Sequence, residues 1–166
     1  MKPLEHEARI RGLFAAVSAD MESLLLRFIL YCIVDKPGVA FHNFKKMTLG
    51  GKIHWAIKDL KQYDNARYIK HKEDFDWLKE FNDLRGQLIH CDIIDNNSDF
   101  TEFTMMDIQL VEREWRIVQI KHTKENLLEQ LMKFRMVILT MAETCKEMIE
   151  EVNHKFPELS KSSNPL

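Results

Sequence analysis

Apolar residues recur along the chain at helical spacing. Ile10, Phe14, Val17, Met21, Leu24, Phe28 and Tyr31 step by alternating fours and threes. That spacing sets them on one seam of a helix packing at a shallow angle against its neighbours. It predicts a first helix from Leu4 to Val34, apolar on most sides in its second half and therefore central. The tetrapeptide DKPG at 35–38 stops it, because proline and glycine both end helices. Residues 39–47, VAFHNFKKM, read as a connector. Thr48 then stands as N-cap of a second helix, Leu49 to Tyr63, whose inner face is Leu49, Ile53, Ile57 and Leu60. Gly50 and Gly51 fall in its first turn, where they cost little and let another backbone come close. A third helix, Glu73 to Cys91, carries Trp77, Phe81, Leu84, Leu88 and Cys91 at the same stepping.

Beyond it the period changes. DNNSD at 95–99 is a loop by composition. FTEFTMMDIQLV and EWRIVQIKHT alternate and are rich in β-branched and aromatic residues, as in Ile108/Leu110 and Trp115/Ile117. They predict an antiparallel hairpin turning near Glu112 to Glu114, although that turn lacks the usual glycine. Thr123 reads as the next N-cap, with Glu125 favourably in the first turn. The last helix carries Leu127, Leu131, Phe134, Ile138, Met141, Cys145, Met148 and Val152, reaches about His154 and ends at Pro157. The expected fold is therefore all-α: an antiparallel four-helix up-and-down bundle with a small β-hairpin inserted before the last helix. It forms one domain over residues 1–156, followed by a flexible tail at 157–166.

Composition narrows the function. The net charge of −2 excludes a polycation. Locally, however, Lys45, Lys46, Lys52, Lys58, Lys61, Arg67, Lys70 and Lys72 face only Asp59 and Asp64 in that stretch. A solvated helix face is the simpler reading, and a local anion-binding surface the alternative. Cys32, Cys91 and Cys145 lie far apart on apolar stretches, as buried thiols of a reducing compartment would. The greasiest segment, LLLRFILYCIV at 24–34, contains Arg27 and is too short to span a bilayer. The amino terminus carries charges throughout and no apolar signal core. A cytoplasmic protein without membrane contact is expected. No metal is expected either, since the lone Glu-x-x-His, Glu151 to His154, sits at a fraying helix end. P-loop, His-Glu-x-x-His and calcium-loop patterns are absent, and no cofactor signature appears.

One segment carries candidate chemistry: FNDLRGQLIHCDIID, residues 81–95. Arg85 borders the apolar stripe of the third helix, where a permanent charge wants an anion or a carboxylate such as Glu22 or Asp20. His90 follows five residues later, about 140° around the helix in projection. It either caps the helix end, where a cation is favoured, or converges with Arg85 through arginine's reach, a frayed helix end or a second copy of the chain. The other six histidines read as surface or satisfied core residues.

This segment resembles the signature of the HEPN family (higher eukaryotes and prokaryotes nucleotide-binding domains), in which an Arg-x4-6-His motif closes a helix of a four-helix bundle. LFAAVSADMESLLLRFILYCIV and TLGGKIHWAIKDL look like the family's other helices, so the resemblance runs over most of residues 5–153. It implies a homodimer whose motif helices meet, forming a composite cleft that cleaves RNA without metal or other cofactor, as in toxin and defence proteins. By the resemblance His90 is the general base on the ribose 2′-hydroxyl and Arg85 stabilises the phosphate in the transition state. Histidine titrates near neutrality, and arginine's planar fork suits phosphate oxygens. Lys52, Lys58 and Gln87 are the candidate substrate-binding residues, and an antitoxin or other protein is an implied partner. The sequence departs from the pattern at Gly86, where family members that cut RNA usually carry a polar residue, often asparagine. The alternative is accordingly a non-catalytic HEPN-like dimeric module that binds a nucleotide or a partner protein. A mid-helix glycine costs about 1 kcal/mol relative to alanine, so a compensating role is expected, namely close approach of a second backbone.

Overall fold

The computed structural model describes residues 3–32, 37–97, 101–155 and 157. Helices dominate: α1 (Pro3–Cys32), α2 (Pro37–Lys46), α3 (Leu49–Tyr63), α4 (Asn65–Lys70), α5 (Lys72–His90) and α6 (Lys124–Lys155). Between the last two lie β1 (Asp92–Asn96), β2 (Glu102–Val111) and β3 (Glu114–Thr123). They form an antiparallel sheet in the order β1-β2-β3. No helix among the described residues is long and apolar enough to cross a membrane. The proposed stop at 35 and 36, the loop at 98 and 99, the side chains of Tyr31 and Cys32, and the tail beyond Pro157 lie outside the described residues.

The helix signals act as local chemistry predicts. Thr48 Oγ1 accepts from Gly51 N at 3.2 Å and starts α3, and Thr123 Oγ1 accepts from Asn126 N at 3.1 Å and starts α6. Three elements correct the sequence expectation. The expected connector at 39–47 is mostly α2. Pro37 is its first residue, where the missing N–H is no loss, so a proline that stops one helix opens the next. Asp64 ends α3 with its backbone, and its carboxylate then accepts from Arg67 N at 3.2 Å to cap the short α4. The expected two-stranded hairpin is the outer part of a three-stranded sheet. Residues 92–96, of which only Asp95 and Asn96 fall in the expected loop, pair with Phe103–Met106 of β2 across a register shift between Ile93 and Asp95.

The chain divides into two compact units. The first, Met1–Ala19 with Leu78–Arg135, contains the sheet. Its core joins Phe14, Phe81 and Phe134: Phe14 stacks on Phe81 at 5.6 Å, and Phe81 meets Phe134 edge-to-face at 4.8 Å. Phe103 and Met105 bury the inner face of β2. The second, Asp20–Trp77 with Met136–Leu166, packs Phe28 edge-to-face on Phe75 at 6.2 Å, with Leu25, Ile53, Leu60 and Met141 also sealed from solvent. There His71 is a satisfied core histidine. Its Nδ1 meets Asp74 Oδ2 at 2.6 Å and its Nε2 meets Thr144 Oγ1 at 2.7 Å.

The predicted seams of α1, α3 and α6 are buried from Ile10 to Phe28, from Leu49 to Leu60 and from Leu127 to Met148. On α5 the expected Phe81, Leu88 and Cys91 are buried, and the stripe departs from the expectation at its start. Phe75 and Leu78 are buried, whereas Trp77 is 38% exposed. Cys91 and Cys145 are buried thiols that form no disulfide among the described residues.

Candidate functional site

The candidate site is built on the last two turns of α5. A helix end leaves carbonyls without partners, and here an arginine from α1 takes them. Arg11 donates to Ile89 O and Cys91 O, each at 3.1 Å, and to Leu88 O. Its guanidinium is oriented in turn by Glu7, which accepts from Arg11 Nε at 2.9 Å. Arg11 therefore does the capping considered for His90. His90 is exposed and makes no hydrogen bond among the described residues.

Arg85 is half-buried. Its Nε is sealed from solvent without a partner, and the side chain forms no ion pair among the described residues. Of the two carboxylates considered for it, Glu22 is bonded to Lys52 at 2.6 Å. A half-buried permanent charge without a counter-ion is an unusual expense.

Gln87 and His90 line one depression of about 580 Å³ with Asn82, Asp83, Gly86, Cys91, Met106, Asp107 and Ile108. Arg85 is not among its lining residues. A Cβ added at Gly86 would meet nothing within 4 Å, so no neighbour among the described residues requires the glycine. The depression is acidic. Gln109 Nε2 donates to Asp107 Oδ2 and Ile108 N to Oδ1, each at 2.8 Å. The Gln109 bond above all holds the Asp107 carboxyl below its ordinary range, so it stays ionised.

The two candidate lysines lie in the second unit. Lys52 is buried, ion-paired to Glu22 and set over the Phe44 ring at 4.7 Å. That arrangement makes it a structural cation. Lys58 is exposed. It neighbours Asp59, a buried carboxylate with Oδ2 unpartnered among the described residues, whose pKa burial raises against the opposing pull of the Lys58 charge.

Sequence reasoning missed Arg11, Asp107 and His122. His122 packs its ring on Phe103 at 5.7 Å, and burial pushes its pKa down. Its Nε2 is sealed without a partner among the described residues. The available signal was parity: His122 shares a strand face with Val118 and Ile120. For Arg11 the only local hint was Glu7 one turn earlier. Comparison with protein-family models, curated proteins and solved structures finds no match for this chain.

Proposed function

We propose that the protein is a cytoplasmic HEPN-like homodimer whose Arg85 and His90, joined with those of a second copy, cleave RNA without a metal. In this reading α1, α3, α5 and α6 are the four helices of the family's up-and-down bundle, with the sheet as its insertion. The observation that carries the reading is the pair itself: a half-buried guanidinium without a carboxylate, five positions from an exposed histidine on the same helix. A phosphodiester supplies the anion that Arg85 lacks. Neutral His90 takes the proton of the 2′-hydroxyl as its oxygen attacks phosphorus. The bond to the 5′-oxygen breaks, and that oxygen picks up a proton from water. The products are a 2′,3′-cyclic phosphate and a 5′-hydroxyl. A toxin or defence role, with an antitoxin-like partner, fits an enzyme of this kind.

A second reading has its own support. The depression beside His90 carries Asp83 and ionised Asp107, and Lys52 is committed to Glu22. Those charges disfavour a phosphate there and favour the non-catalytic dimeric module, with a partner protein rather than a nucleotide at this depression. Incubating mixed RNA with the protein in EDTA separates the two. The ribonuclease reading expects fragments ending in cyclic phosphate from wild type and none from His90→Ala. RNA that stays intact, or is cut equally by both, refutes it. A nucleotide that raises the melting temperature by mass action would then support the module.

A further inference from the structure

The outer face of the β2–β3 hairpin is apolar and uncovered. Ile108 pairs with Ile117, and Leu110 with Trp115. Cross-strand partners share a face, so these four side chains form one patch. They are 62%, 68%, 59% and 74% exposed respectively. Together they present on the order of 500 Å² of apolar surface, the size at which a patch on a single chain is usually functional. Ile108 also lines the depression that holds Gly86, Gln87 and His90, so patch and depression are continuous.

Three observations make a second copy of the chain the occupant. The first is fit. Projecting apolar side chains and an unfilled hollow lie side by side on one surface. That is the arrangement a two-fold axis uses twice, each copy's hairpin packing along the rim of the other's hollow and leaving His90 open. Gly86 supplies the hollow: its Cβ space is open and its φ is not positive, so neither packing nor backbone geometry within the described residues requires it.

The second is charge. The hairpin turn presents Arg113, which has no hydrogen bond or ion pair among the described residues. The depression presents Asp83, whose one bond among the described residues is from Asn82 at 3.4 Å, together with ionised Asp107. The turn holds Glu112 and Arg113 at φ of 52° and 71°. Side chains rarely adopt that region.

The third is area. A stable interface needs about 800 Å² from each partner. The patch supplies over half of that, and the depression beside it adds to the total.

We infer that the apolar hairpin face and the Gly86 depression together form a self-association surface, in which each copy's Trp115 and Arg113 dock beside the other's His90. This rests on the reading that two copies of Arg85 and His90 act together, and adds the surface that brings them there. Sedimentation equilibrium tests it on the full chain. Wild type is expected to be a dimer. Trp115→Glu should weaken it at least about 30-fold, with unchanged circular dichroism. Ile69→Glu, at a residue 65% exposed in the other unit, should leave it intact. If Trp115→Glu fails to fold, Ile117→Ser and Leu110→Ser must give the same weakening. A monomeric wild type, or a dimer indifferent to these changes, overturns the surface. A dimer broken at this face in a protein that never cuts RNA sustains the surface and refutes only the ribonuclease. RNA cleavage by a dimer that survives Trp115→Glu does the reverse.

Discussion

Removing the Arg11 guanidinium should loosen the end of α5 more than any other single exposed-side change. Arg11 is 28% exposed and donates to three carbonyls, of Leu88, Ile89 and Cys91, while Glu7 fixes its orientation. A hydrogen bond from a charged group contributes about 1.5 to 3 kcal/mol when buried. Water reaches this site and re-solvates freed carbonyls, so the three bonds cannot simply be summed. We expect Arg11→Ala to lower unfolding stability by about 2 kcal/mol. For a chain of this length that corresponds to a fall in Tm of roughly 4 to 8 °C. Arg11→Lys, a compact charge without the fork, should recover less than half of that loss. Glu7→Ala should lose no more than about 1 kcal/mol, since a half-exposed pair contributes little on its own. Urea unfolding followed by circular dichroism gives the totals. Amide exchange gives the location: the Cys91 N–H, bonded to Gln87 O at 2.9 Å, should exchange faster in Arg11→Ala while α3 amides do not. A loss below about 0.5 kcal/mol, or faster exchange spread evenly over the chain, would refute the capping role.

Lys52→Met should cost about 1 to 3 kcal/mol, because it strands Glu22, which is 37% exposed and so partly rescued by water; any RNA-cleaving rate of the folded variant should be unchanged, and a selective loss of cleavage would return Lys52 to the substrate. Glu112→Gly should stabilise by about 0.5 to 1 kcal/mol, since relief of the left-handed backbone outweighs the surface contact to Arg116 at 3.5 Å; an unfolding midpoint that falls would contradict this. His122 has its folded pKa lowered by burial. The unfolded chain therefore takes up a proton near pH 6.5 before the folded one does, and stability declines as pH falls from about 6.5 towards the folded value. His122→Phe keeps the ring against Phe103 and removes that decline, which urea midpoints at pH 7.5 and 5.5 would register as a smaller difference than in wild type.

Much of the helical framework was legible because its signals are local. Thr48 and Thr123 mark helix starts by a hydroxyl three residues from the N–H it accepts. The seams of α1, α3 and α6 are long enough for their period to be unambiguous. What escaped depended on partners distant in sequence. β1 is five residues with little alternation, and it is a strand because Phe103–Met106 pair with it. On α5 the expected Phe81, Leu88 and Cys91 are buried, but the first turns differ: Phe75 and Leu78 are buried where Trp77 was expected. Trp77 stands four residues before Phe81 and Leu78 three, both compatible with one helix face, and only the neighbours choose between them. The proline that signals a stop after the first helix, Pro37, also opens α2.

At the site, the sequence singled out Arg85 and His90, and the spacing alone left their convergence open. The fold adds what spacing could not contain. Arg11, 74 residues before Arg85, caps the helix end. Asp107, 17 residues after His90, makes the adjoining hollow acidic. Lys52, chosen for its charge, had that charge answered by Glu22 on another helix, which no one-dimensional pattern reveals.

Mixing two inactive variants tests the composite site most directly. Arg85→Ala and His90→Ala, each purified and each silent towards RNA in EDTA, are combined so that copies exchange, and cleavage is followed by gel with cyclic-phosphate detection. The account predicts that activity reappears in the mixture, because a mixed pair holds one intact arginine and one intact histidine facing the same phosphate. A mixture as silent as its components, or a His90→Ala protein that cuts as well as wild type, would contradict it.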